Sequence, residues 1–60
     1  MKKQIKTERG LICVVNEFPT SEEAEANGYS YSFTSKEIGC DIYGKCLDDR
    51  GLRHEFALIR

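Results

Sequence analysis

Two glycine turns of similar sequence, at residues 7–11 (TERGL) and 48–52 (DDRGL), constrain this chain more than any other feature. Glycine adopts positive φ without steric cost, so Gly10 and Gly51 are each suited to close a tight antiparallel hairpin. The sequences that flank the two turns do not match, so we interpret the similarity as the same type of turn occurring twice. The turns therefore predict one hairpin at each end of the chain.

The first hairpin is predicted to have the three-residue loop 8–10, with Gly10 in its left-handed third position. In that register Thr7 faces Leu11, and Ile5 faces Cys13. The five apolar residues that follow the loop are typical of a central strand covered on both faces.

The register of the second hairpin follows from its side chains. With the loop 49–51, the numbers of paired residues sum to 100. Lys45 then faces Glu55, an opposite-charge pair, and Gly44 lies beside Phe56, whose ring covers the bare glycine backbone. A register one residue shorter gains neither contact. The preferred register places these side chains on one face: Cys40, Ile42, Cys46, Leu52, His54, Phe56 and Leu58.

One short helix is predicted between the hairpins. Pro19 ends the preceding strand, and Thr20 with Glu23 has the spacing of a capping box. Gly28 after an asparagine is a helix stop with a left-handed cap. The helix has about two turns, so it needs to pack on the sheet to be stable, with Ala24 pointing inward.

Residues 29–34 alternate strictly between aromatic and small polar residues, which is the clearest strand signal in the chain. Perfect alternation would put Tyr29, Tyr31 and Phe33 on one face. The chain has only six aromatic residues, so we expect at least two of these three rings in the core. Residues 35–39 are predicted to connect this strand to the second hairpin.

These elements predict an α+β fold of order ββαβββ: a small antiparallel sheet built from two hairpins, with one short helix packed on one face. Residues 1–60 are expected to form a single domain. The strand order cannot be read from the pattern. A chain of this length buries a thin core and has little material for a deep active site, which argues against an enzyme.

The charges argue against two classes of partner. Nine Lys or Arg balance ten Asp or Glu, whereas proteins that bind nucleic acid or anionic lipid need excess cations. No apolar run is long enough to cross a membrane, and no signal peptide begins the chain. We therefore expect a cytoplasmic protein with reduced cysteines, bound neither to nucleic acid nor to a membrane.

Cys13, Cys40, Cys46 and His54 have the composition of a zinc ligand set. Cys40 and Cys46 are too far apart on one extended strand, about 20 Å, to share a metal ion. Cys46 opposite His54 also suggests an activated thiol, but no orienting group or oxyanion hole accompanies the pair. We favour core cysteines and a histidine at the rim, and expect no catalytic residues, metal or cofactor.

The stretch from Asp41 to Ile59 (DIYGKCLDDRGLRHEFALI) resembles short accessory proteins encoded on conjugative transposons of Gram-positive gut bacteria. The resemblance covers about a third of the chain. It implies an accessory protein of a mobile element, and it carries over no functional residues.

Two functions remain open. The favoured one is a small non-enzymatic accessory or regulatory protein that binds another protein or a second copy of itself. The alternative is a nucleic-acid-binding module that stacks bases on the aromatic strand. Exposed rings with cations nearby favour the alternative, and buried rings favour the first function. The candidate interaction surface comprises Tyr29, Tyr31, Phe33, Glu22, Glu23 and Glu25.

Overall fold

The computed structural model describes residues 3–51 and 53–60. Its elements are β1 (Lys3–Thr7), β2 (Gly10–Phe18), α1 (Ser21–Ala26), β3 (Ser30–Ser35), β4 (Cys40–Cys46) and β5 (His54–Ile59). The predicted α+β class and the ββαβββ order are confirmed. Within these residues, no helix has the length and apolar character that a membrane crossing requires.

The five strands form one sheet in the order β1-β2-β5-β4-β3. Neighbouring strands are antiparallel except β2 and β5, which pair in parallel. The last strand of the chain therefore occupies the centre of the sheet, and β1 and β3 form its two edges.

The sheet separates two clusters of buried side chains, because successive residues of a strand point to opposite faces. We call one side the hairpin face; its buried residues are Ile12, Val14, Phe33, Ile42 and Leu58. We call the other side the helix face; its buried cluster comprises Ala24 of α1 with Tyr29, Tyr43 and Ala57.

The register predicted for the second hairpin is confirmed: Lys45 pairs with Glu55, and Gly44 with Phe56. A Cβ atom on Gly44 would lie 3.2 Å from Cε1 of Phe56, so the ring does cover the glycine. Gly51 has the expected positive φ of 69°. Leu52 of the predicted face lies outside the described residues.

The register predicted for the first hairpin is wrong by one residue. Thr7 pairs with Gly10, and Ile5 with Ile12. The side chain of Thr7 explains the difference, because its hydroxyl donates to the carbonyl of Gly10 (2.9 Å) and accepts from the amide of Arg9 (3.1 Å). Thr7 thereby closes a two-residue loop. Gly10 keeps the predicted positive φ, 108°, but is the first residue of β2.

The apolar run in β2 is covered more fully on one face than on the other. Ile12 and Val14 are buried in the hairpin face, whereas Leu11 is 67% exposed. The strand is interior, as predicted, but the prediction that both of its faces are covered is wrong at Leu11.

The predicted start and end of the helix are confirmed. The hydroxyl of Thr20 accepts a hydrogen bond from the amide of Glu23 at 3.3 Å, and α1 ends before Gly28, whose φ is 90°. Ala24 is fully buried on the helix face.

The prediction that all three rings of β3 share one face is wrong, because β3 contains a β-bulge. Tyr31 pairs with Tyr43 and Phe33 with Ile42, so Ser32 is an extra residue without a partner on β4. A bulge shifts the alternation by one residue. Tyr31 therefore lies on the helix face and Phe33 on the hairpin face.

Among the described residues no helix lies on the hairpin face, and the β1–β2 hairpin covers it. Ile5 of β1 packs on the same cluster as Phe33 of β3, although these strands are opposite edges of the sheet. The carboxylate of Glu8, in the hairpin turn, accepts hydrogen bonds from the Ser35 hydroxyl and the Lys36 amide, each at 2.7 Å. The sheet is therefore curled, and these hydrogen bonds hold the turn between β1 and β2 against the end of β3.

Candidate interaction surface

The structure separates the three rings of the aromatic strand by exposure. Tyr29 is 4% and Phe33 7% exposed, whereas Tyr31 is 56% exposed. The expectation that at least two rings are in the core is confirmed. A stacking platform of three rings on one face is not formed, because the two buried rings also lie on opposite faces.

Two cations lie over the buried rings. The Arg9 guanidinium carbon is 4.9 Å from the ring centroid of Phe33, and the Lys45 ammonium is 5.4 Å from that of Tyr29. Lys45 also donates to the carbonyl of Asn27 at 3.4 Å. These contacts place the two cations over buried rings, not beside an exposed ring.

Tyr31 is exposed but held in position. Its ring packs edge-on against Tyr43, with centroids 5.7 Å apart. The hydroxyl of Thr34 donates to the carboxylate of Asp41 at 2.7 Å. Its single hydrogen is thereby used, so the hydroxyl of Tyr31, 2.8 Å away, donates to Thr34. Tyr31 therefore presents an oriented aromatic surface at the edge of the sheet.

The strand that carries Tyr31 pairs only with β4 among the described residues, which leaves its outer edge open. Its six residues, Ser-Tyr-Ser-Phe-Thr-Ser, include no charged residue and no proline. Charged side chains, particularly lysine, normally protect edge strands from pairing with other chains. At the opposite edge β1 carries Lys3 and Lys6. Within the described residues, the β3 edge is protected by its bulge and, at the Ser35 end, by the first turn, whose Glu8 accepts hydrogen bonds from Ser35 and Lys36.

Glu22, Glu23 and Glu25 are exposed on α1, as a surface helix requires. The helix packs against β2 and β5, and β4 separates β5 from β3. The predicted interaction surface therefore falls into two regions, an acidic helix and an aromatic edge strand, which the fold does not merge.

An open groove of about 330 Å³ lies beside the first half of β3. Gly44 lines it, and His54 stacks on Phe56 at its side, with ring centroids 6.3 Å apart. Its lining residues are Ser30, Tyr31, Ser32, Gly44, Cys46, His54 and Phe56. The sequence pairs Gly44 with Phe56, but the position of β3 beside them depends on the strand order.

Cys46 and His54 are paired across the hairpin as predicted, and both are exposed. The thiol donates to the carbonyl of Asp48 at 3.1 Å. The expectation of core cysteines is wrong for Cys46, which lies at the end of β4, while Cys13 and Cys40 are half-buried. Across residues 3–51 and 53–60, no cluster of three or more His, Cys, Asp or Glu side chains could hold a metal ion.

The Glu8 carboxylate is an electrostatic feature that sequence reasoning missed. The hydrogen bond from Ser35, with further backbone donors including Lys36, lowers the pKa of Glu8 from 4.5 to about 2. These bonds favour the charged carboxylate. No local pattern marks this contact, since Ser35 is 27 residues away.

Comparisons of the chain with protein-family models, with curated proteins and with solved structures found no match.

Proposed function

We propose that this chain is a small non-enzymatic accessory protein that acts by binding protein, and that the open edge of β3 is its contact surface. The observation that carries the proposal is the difference between the two edges of the sheet. One carries lysines, and the other is uncharged, open and flanked by an oriented tyrosine.

Strand addition is the mode of binding that this edge supports. An extended segment that pairs with β3 forms main-chain hydrogen bonds, and pockets beside the edge select its side chains. Tyr31 supplies aromatic contact on the helix face, and the groove beside Gly44 can receive a side chain of the bound segment. The resemblance of the second hairpin to accessory proteins of mobile elements agrees with a role of this kind.

Selection from a displayed library of linear peptides tests the proposal. Peptides that bind should shift the backbone NMR signals of residues 30–35 more than those of β1 or α1. Ser32→Lys should weaken their binding, because Ser32 is exposed on β3 and a lysine there imitates the protection of β1.

Gln4→Lys is the matched control, since it adds the same charge at an exposed position of the opposite edge. It should leave peptide binding unchanged. Peptides whose shifts map to α1, or whose binding is insensitive to Ser32→Lys, would contradict the assignment to β3.

A further inference from the structure

We infer that the β3 edge pairs with the β3 edge of a second copy of this chain, which joins the two sheets in an antiparallel dimer about a two-fold axis. This inference rests on the proposed function and identifies the bound protein as a second copy of the chain.

The first argument is charge. In an antiparallel pair of identical strands, every charged residue in the strand brings two copies of itself into the same small interface. Like charges that face each other across strands are destabilising. β3 has no charged residue, so no charged side chain of the strand itself faces its own copy. The same pairing through β1 would bring together two copies each of Lys3 and Lys6.

The second argument is the register. Residues that face each other across antiparallel strands point to the same side of a sheet. When paired numbers sum to 65, Tyr31 of each copy faces Thr34 of the other. Both residues lie on the helix face, because they pair with Tyr43 and Asp41 of β4. The axis then passes between Ser32 and Phe33, which brings the two bulges together.

The third argument concerns the side chains beside this axis. Within one chain Tyr31 already donates to Thr34, and Thr34 to Asp41. The register above places two such sets next to each other on the helix face. Each ring, 56% exposed in the single chain, gains a neighbour from the other copy. Aromatic residues in such cross-strand positions contribute to the stability of the pair.

The end of β3 limits the extent of pairing. Glu8 is fastened to Ser35 and Lys36, so the first turn of the chain stands beside that end. The pairing therefore centres on residues 31–34. An interface this short is at the small, transient end of protein contacts, and we expect a dissociation constant of about 10 µM to 1 mM.

Sedimentation equilibrium of the purified chain tests the dimer. We expect a monomer–dimer equilibrium in that range, weakened about tenfold or more by Ser32→Lys and restored in part by salt, since the two lysines would flank the axis. Gln4→Lys should have no effect. A chain that stays monomeric up to about 1 mM would overturn the inference.

A charge-swap experiment tests the two-fold register. Ser32→Lys and Ser32→Glu should each associate weakly alone, whereas their equimolar mixture should form a heterodimer, because opposite charges then flank the axis. If both variants are monomeric and the mixture is too, the register is wrong. A dimer insensitive to either variant would place the contact elsewhere. The peptide selection is independent of both results, so the proposed function can survive a monomeric chain.

Discussion

The two faces of the sheet reach burial by different means. On the hairpin face, large aliphatic side chains are fully buried, and a curled hairpin fastened by Glu8 covers them. On the helix face, a six-residue helix packs its own Ala24 against Ala57 and two tyrosines. The Tyr29 hydroxyl there accepts a hydrogen bond from the Asn16 amide at 3.1 Å. The two faces therefore differ in what fills them: mainly large aliphatic side chains on the first, and tyrosine rings with small alanines on the second.

Leu58 and Ile59 provide the sharpest test of this difference, because they are neighbours on β5 and point to opposite faces. Leu58 is fully buried and Ile59 half-buried. Leu58→Ala should lower the free energy of unfolding by about 2–5 kcal/mol, since it leaves a cavity in the core. Ile59→Ala should cost less than half as much. Equal losses in chemical denaturation would remove the distinction between the faces.

A change in the β4–β5 turn should affect both faces alike, because the strands that it joins contribute to both. Gly51 has a φ of 69°, which β-branched residues resist. Gly51→Val should destabilise the fold by at least about 1 kcal/mol. Gly51→Asn is the control, since asparagine tolerates this region, and it should cost less. A neutral valine variant would be inconsistent with the turn.

The helix cap tests the helix face alone. Thr20→Ala removes the hydroxyl that accepts from the amide of Glu23 and should cost about 1 kcal/mol. Thr20→Ser retains the acceptor and should be nearly neutral. Hydrogen exchange should accelerate first in α1, and a uniform acceleration that includes β1 would argue against independent cover for the two faces.

The smallest expected effect concerns the fastening of the hairpin face. The pKa of Glu8 is lowered from 4.5 to about 2, so the stabilisation by its carboxylate is complete above pH 4.5 and is lost as the pH falls through about 2. Glu8→Gln should therefore show a flatter dependence of Tm on pH within that window.

Ser35→Ala removes the principal cause of the lowered pKa and should flatten the same curve. A Gln variant that keeps the wild-type dependence of Tm on pH would show that Glu8 does not fasten the hairpin.

The two hairpins show how far side-chain reasoning reaches. In the second, a charge pair and a glycine that an aromatic ring can cover distinguish neighbouring registers, and the predicted register is correct. Even there, Lys45 extends to Tyr29 and Asn27, which no pairing rule includes. In the first, the hydroxyl of Thr7 selects a tighter loop than glycine preference alone indicates.

The candidate site was predicted only in part. The alternation of residues 29–34 predicts the strand of the site and includes Tyr31, the ring that is exposed. The same alternation assigns Phe33 to the wrong face, because a bulge at Ser32 depends on how β3 fits β4. The groove and the open edge require the strand order, which no local signal contains.

By itself, the sequence determined the number, type and order of the elements, the two ends of the helix, and the register of the second hairpin. Each depends on residues close together in the chain, such as Thr20 and Glu23 or Gly44 and Phe56. Only the tertiary structure decided that β5 is central, that β3 is an edge, and that Glu8 reaches Ser35. Those outcomes depend on which surfaces pack best once every strand is present, so residues distant in sequence decide them together.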